Sequence, residues 1–381
     1  MIYFDQAATS FQKPPQVLEV VQEAMLHASA NPGRGGHMLA RKASAIVADV
    51  REKAAKAFGC SDPRQALYFH NATAALNQAI KGIEWQAGNH VIATAMEHNS
   101  IRRPLEYLRK TKDIEVTYID AMKEDSCGSV MKSITPQTKL IAMTHASNVT
   151  GDMVPIREIA GIAKAQQIPV LIDASQTAGH IAIDMKTDEI NMLVFPGHKG
   201  LMGPQGTGML LVEGDIALKP ILHGGTGAFS ENVAQPEQWP ERFESGTLNV
   251  PAIAGLGAAI EVYMSRKHEN VPRETILINQ LIKGLEQING IRCYGPGVGE
   301  DRLPIIAFNI EGANSQEIAM ILDSSYNICV RAGLHCSPLI HDSLGTLDQG
   351  IVRASLSMYN TETEIDQFLH AMTEIAAAYR V

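Results

Sequence analysis

Between Ala66 and Val212 the chain alternates short apolar runs with longer stretches whose apolar residues recur at helical spacing. The runs are 66–70, 90–95, 115–119, 139–144, 170–173, 192–195 and 208–212. Most are β-branched or apolar on both faces, as strands covered on both sides are, and their alternation with helices predicts an α/β fold with a mostly parallel seven-stranded sheet. Ahead of them, residues 3–10 read as an ordered arm, Lys13-Pro14-Pro15 stops any regular element, and helices are expected over about 16–28 and 39–58. The connector 31–37 offers Arg34 and His37 as ligand-binding side chains, although glycine and proline also mark plain turns. After Val212 the stretches 223–227 and 242–249 read as loops, followed by a helix over 252–264. The remainder predicts helix 276–287, strand 305–310, helix 315–324, strand 328–331, a loop through 347, strand 351–355 and a last helix 362–379. The expected division is a large α/β domain over 14–250 and a smaller α+β domain formed by 1–13 with 251–381.

Composition narrows the classes. At 381 residues the chain exceeds the ~250 to 300 residues that one core usually supports. Its 45% hydrophobic and 19% charged residues are ordinary for a globular protein. A formal charge of -9 with no run of lysines and arginines excludes a nucleic-acid partner held through its phosphates. The first residues carry an acid where a signal peptide needs its apolar core, and no stretch approaches the ~18 apolar residues of a membrane span. A cytoplasmic protein is expected, without membrane association. Cys60, Cys127, Cys293, Cys329 and Cys336 are scattered and odd in number, which fits free thiols in a reducing compartment.

In parallel α/β sheets ligands bind at the carboxyl ends of the strands. Those ends carry Asn71-Ala72-Thr73-Ala74, Glu97-His98-Asn99-Ser100, His145-Ala146-Ser147-Asn148, Asp173-Ala174-Ser175-Gln176 and His198-Lys199. Lys199 follows a buried run and precedes a glycine-rich turn; it is either a surface turn lysine or an amine made nucleophilic by desolvation. Asp173 suits the nitrogen of a pyridinium ring or a helix cap, and His98 suits a ring face or a cap. Thr73 opens a helix and fits a phosphate or a plain N-cap, while Gln176 and Asn148 could each meet a phenolic oxygen. A second cluster, Arg331-Ala332-Gly333-Leu334-His335-Cys336-Ser337-Pro338-Leu339-Ile340-His341, puts a cysteine in a polar loop near histidine and arginine, which suits either a reactive thiol or a buried structural cysteine. No further ligand pair with zinc spacing accompanies His335, Cys336 and His341, so no metal is expected. Arg353 lies inside an apolar strand and needs an anionic partner, either a structural acid or a substrate carboxylate.

These motifs in this order resemble the cysteine desulfurase and selenocysteine lyase group of class V, fold-type I pyridoxal-phosphate enzymes, from Tyr3-Phe4-Asp5-Gln6-Ala7-Ala8-Thr9 to Arg353-Ala354-Ser355-Leu356-Ser357-Met358-Tyr359-Asn360. The branch is the one with the short Arg-x-Gly-x-His-Cys loop. The resemblance implies that Lys199 carries pyridoxal 5'-phosphate, His98 stacks on its ring, Asp173 pairs with the ring nitrogen and Gln176 touches the phenolic oxygen. Thr73, Ala74 and His198 would hold the phosphate, joined by Thr247 of the neighbouring subunit in a homodimer with shared active sites. Asn148, Arg353 and His335 fall at substrate-side positions, and Cys336 at the sulfur-accepting cysteine. L-cysteine or L-selenocysteine is the implied substrate, with a protein as sulfur acceptor. A selenocysteine lyase, or another lyase or aminotransferase of this fold, is the alternative. Two positions depart from the family pattern. Asn71-Ala72-Thr73-Ala74 stands where Gly-Thr-Thr is frequent, and Leu334 stands where several relatives have a second histidine, which would leave thiol activation to His335.

Overall fold

The computed structural model describes residues 1–379 except 34, 123–124, 268 and 270–271, so Arg34 lies outside the described residues. The chain begins with β1 (Ile2–Tyr3), α1 (Pro15–His27) and α2 (Met38–Phe58). The α/β part runs β2 (Ala66–Phe69), α3 (Ala72–Lys81), β3 (His90–Thr94), α4 (Asn99–Lys112), β4 (Glu115–Ile119), α5 (Ser126–Ser133), β5 (Thr138–Thr144), α6 (Ile156–Ala165), β6 (Val170–Asp173), β7 (Met192–Pro196) and β8 (Gly208–Val212). Then follow α7 (Val250–Arg266), α8 (Arg273–Glu286), β9 (Ile291–Tyr294), β10 (Ile305–Ile310), α9 (Ser315–Tyr326), β11 (Ile328–Cys329), β12 (Arg331–Gly333), α10 (Pro338–Leu344), β13 (Ile351–Ser355) and α11 (Glu362–Ala378).

The seven apolar runs form one sheet in the order β2-β8-β7-β6-β5-β3-β4, in which only β8 runs against its neighbours. Successive residues serve opposite layers. Ile141 and Met143 pack with α2, α6 and α7, whereas Leu140 and Ala142 pack with α3 and α4. That double covering is why the runs are apolar throughout. After β3 the chain moves outward to β4, then returns on the other side of β3 as β5. This change of direction opens a crevice at the carboxyl ends of β3 and β5, where such sheets bind ligands.

A second sheet, β12-β13-β10-β9, is antiparallel and packs against α8, α9 and α11 around Phe308, Phe368, Leu281 and Leu322. The amino-terminal arm belongs to this smaller unit first: β1 pairs in parallel with β11, and Phe4 O accepts from Ser355 N at 2.7 Å. It then crosses to the large unit, where Ser10 N donates to His198 O at 2.9 Å. Helix α7 packs on α1 and α2 and buries Ile253, Leu256 and Ile260 in the large core. The apolar packing of the large unit therefore extends along α7.

Three local expectations change. The single strand expected over 328–331 is two short strands, because the chain switches sheets at Val330: β11 pairs with β1 and β12 with β13. Part of the expected loop through 347 is α10, entered through Pro338 and closed by Gly345 at φ 67°. Strand β9 was hidden because only Tyr294 in it is buried. No helix among the described residues is long and apolar enough to cross a membrane.

Candidate active site

Lys199 stands just past β7, at a cavity whose lining includes Asp173, His98, Thr73, Asn148, Gln176 and His198. Its Nζ makes no hydrogen bond or ion pair among the described residues. Burial lowers its pKa to about 8, Asp173 opposes the shift, and Arg353 and Arg331 add to it. The local sequence left surface lysine or buried nucleophile; the side chain is half-buried at the cavity wall. Asp173 ends β6, is 3% exposed and accepts from Ser175 N at 2.9 Å through Oδ1. Burial raises its pKa, and no cation pairs with it among the described residues.

His98 caps α4: its Nδ1 accepts from Ser100 N at 3.1 Å. A ring nitrogen accepting a backbone N–H is unprotonated, so the neutral ring carries its proton on Nε2. Burial, with Lys199 and Arg331 adding to it, lowers this histidine to about 4. Ser100 Oγ lies 2.9 Å from His98 Nδ1 and 2.7 Å from Thr73 Oγ1, linking two strand ends. Thr73 lies in the first turn of α3, which approaches β8 so closely that a Cβ on Gly208 would sit 2.5 Å from the Asn71 carbonyl carbon. Asn71 Oδ1 already accepts from Ala74 N at 2.9 Å, so the Ala74 amide is occupied by the cap. Gln176 is buried and donates from Nε2 to Ala7 O at 3.2 Å. His198 Nδ1 is 3.1 Å from Thr9 Oγ1, and burial, with Lys199 and Lys13, lowers it to about 4. The arm thus closes one side of the cavity.

Arg353 is fully buried on β13. It donates to Asn148 O at 2.7 Å and to Asp5 Oδ1 at 2.8 Å, while its Nε has no partner. Burial lowers its pKa against the opposing pull of Asp5. Cys336 is exposed, and its carbonyl accepts from Asn99 N at 2.8 Å, which places the loop at the start of α4 beside His98. His335 points the other way. It is 4% exposed, its Nε2 lies 3.0 Å from Ile351 O, and its ring stacks on that of His341 with centroids 6.1 Å apart. Burial holds its pKa well below the ordinary value, and it makes no hydrogen bond to the thiol.

Thr247, Ala74 and His37 do not line the cavity. Thr247 is exposed on the loop before α7 and lines a separate groove that includes Ala74. His37 caps α2, accepting from Ala40 N at 3.3 Å. The sequence reading gave no individual role to three contributors. Asp5 is the one acid in the arm 1–10, directly after Ile2-Tyr3-Phe4, a signal that could have been noticed. Ser100 shares a polar strand end with His98. Glu97 is fully buried, and its Oε1 accepts from Thr94 Oγ1 at 2.6 Å and from Thr144 N at 3.0 Å. Burial raises its pKa to about 8, with Asp173 adding to the rise.

The sheet order is that of an α/β fold, and a lysine of lowered pKa and a buried carboxyl line one cavity at its strand ends. The aminotransferase class-V model matches residues 2–368. A probable cysteine desulfurase of Methanothermobacter thermautotrophicus is 33% identical, covering 98% of this chain and 94% of that protein. A cysteine desulfurase of Salmonella agona is 31% identical over 98% of this chain and 93% of its own. Among solved structures, the apo cysteine desulfurase of Thermococcus onnurineus superposes with a TM-score of 0.92 at 31% identity, covering 99% of this chain and 95% of that one. The cysteine desulfurase CsdA of Escherichia coli gives 0.87 at 26%, covering 100% and 95%. The chain belongs to the aminotransferase class-V family, and within it to the cysteine desulfurase group.

Proposed function

We propose that this protein is a pyridoxal-phosphate-dependent cysteine desulfurase that converts L-cysteine to L-alanine and takes the sulfur onto Cys336 as a persulfide. The observation that carries the reading is the meeting of two nucleophiles at one site: the Lys199 amine inside the cavity and the exposed Cys336 thiol on a loop bonded to the start of α4. An aminotransferase has use for the first and none for the second.

The residues fit the cofactor. Asp173, buried without a cation, suits a protonated ring nitrogen; Thr73 and His198 lie where a phosphate would meet the start of α3; His98 supplies a flat, neutral face. Pyridoxal phosphate, when bound, supplies a sink for the electron pair left at the substrate Cα. Lys199 would hold the cofactor, and its amine, when free, would take the substrate Cα proton; a pKa near 8 would let it both receive and release that proton at neutral pH. Arg353, preset by Asp5 and the Asn148 carbonyl, receives the substrate carboxylate and so turns the sulfur toward the loop. His98 Nε2–H is placed to give a proton during release of alanine. Thr247, exposed away from its own cavity, serves the phosphate of a second subunit, which makes the working unit a homodimer.

The test is to supply purified, cofactor-loaded protein with L-cysteine or L-selenocysteine and measure alanine. Alanine from cysteine, matched by sulfur on Cys336, is expected. Alanine from selenocysteine alone would replace the reading with a selenocysteine lyase, and alanine from neither would reject both.

A further inference from the structure

One side chain grips the chain on both sides of Cys336. Asn148 Nδ2 donates to His335 O at 2.8 Å, and Ser337 Oγ donates to Asn148 Oδ1 at 2.7 Å. Ser337 is 0% exposed and Asn148 nearly buried, so water offers no substitute partner. Between these anchors the backbone is left-handed at two successive residues that carry a Cβ: φ is 49° at His335 and 60° at Cys336. Such a conformation costs roughly 1–3 kcal/mol per residue and persists only when its surroundings enforce it. It also explains why His335 turns inward while Cys336 turns outward. Asn148 lines the Lys199 cavity as well, and its amide keeps a second hydrogen and a second lone pair for use there. One residue therefore touches both the space where the amine works and the loop that carries the thiol.

Resting on the desulfurase reading, we propose that Ser337 is a positioning residue for sulfur transfer: through Asn148 it holds Cys336 in its left-handed conformation, with Sγ facing the substrate sulfur. In the step it serves, the Cys336 thiolate attacks that sulfur and an S–S bond forms. The substrate C–S bond breaks, its electron pair stays on the carbon, and a proton completes the methyl group of alanine. Sulfur is oxidised and carbon reduced within the pair, so no outside oxidant enters. Without the Ser337 hydroxyl, Asn148 Oδ1 loses its donor and the loop relaxes. Misplacing a reacting group by about 1 Å costs up to about 100-fold in rate.

Ser337→Ala and Ser337→Thr, beside wild type, test this with two readouts. In cofactor-free protein, hydrogen exchange of the amides at 334–337 should quicken by about 10-fold or more in the alanine variant, which is ~1.4 kcal/mol of lost protection, and stay near wild type with threonine. In loaded protein, mass spectrometry of a single turnover should show persulfide forming on Cys336 about 10- to 100-fold more slowly in the alanine variant. The absorbance change on adding cysteine should keep its wild-type amplitude, and threonine should restore the rate. A wild-type value for either exchange or persulfide formation in Ser337→Ala overturns the proposal. So does loss of the absorbance change, which would mean that the hydroxyl supports the whole cavity. If wild type itself forms no persulfide, the desulfurase reading fails and the exchange result alone decides whether Ser337 holds the loop.

Discussion

The two side chains proposed as nucleophiles stand in opposite settings. Lys199 sits just past a strand buried on both faces, half-buried at the cavity wall, with its pKa lowered chiefly by burial and no hydrogen-bond partner for its amine among the described residues. Cys336 sits on a loop of the smaller unit, and it is set by what its neighbours hold: a carbonyl at Asn99, and flanking residues at Asn148. Burial tunes the amine, whereas hydrogen bonds place the thiol and leave it open. A group that must change protonation during turnover gains from desolvation. One that must hand sulfur to an outside acceptor gains from exposure.

The largest effect should come from the amine. Lys199→Ala should lower alanine formation by roughly 10²- to 10⁴-fold, checked by alanine assay, because both the anchor and the base are lost. Cys336→Ala should reduce persulfide to background in a mass-spectrometric assay while the absorbance response to cysteine persists. If both variants lost that response, the division of labour between strand end and loop would break down. Arg353→Lys should raise KM for cysteine by about 10- to 100-fold, the loss expected for a charge-assisted hydrogen bond. Asp5→Asn should do the same more weakly, since Asp5 acts only by presetting the guanidinium.

A smaller effect sharpens the comparison through pH. His98, His145 and His198 are held at about 4 in the folded protein, chiefly by burial. An unfolded chain protonates its histidines near ~6.5. Between those values the unfolded state binds protons that the folded state does not, so stability falls as pH drops through that window. Melting temperature should decline by several degrees between about pH 6.5 and 4.5, and His145→Asn should flatten the decline. The Lys199 shift acts at the other end: below about 8 its charged form is a burden that lifts as pH rises from there toward ~10.5.

Much of the lysine half was readable in the sequence, because a buried strand announces itself by composition and its carboxyl end follows by position. Strand-end position alone singled out Lys199, Asp173, His98, Thr73 and Asn148, which line one cavity. The thiol half was harder. Composition marked 331–341 as a loop, yet it could not show that the backbone turns left-handed at His335 and Cys336, and so sends the histidine inward and the cysteine outward. Pairs far apart in sequence were also silent: Arg353 meets Asp5, and Ser337 meets Asn148, only once two sheets and the arm are assembled.

The most direct measurement is a single turnover of loaded enzyme with L-cysteine, following alanine release and the mass of the Cys336 peptide together in wild type, Lys199→Ala and Cys336→Ala. Wild type should gain one sulfur on Cys336 for each alanine; Lys199→Ala should give neither product, and Cys336→Ala should bind cysteine without passing sulfur to protein. Alanine formed at the wild-type rate by Cys336→Ala, or sulfur gained on Cys336 without Lys199, would contradict a site in which the amine opens the substrate and the thiol takes its sulfur.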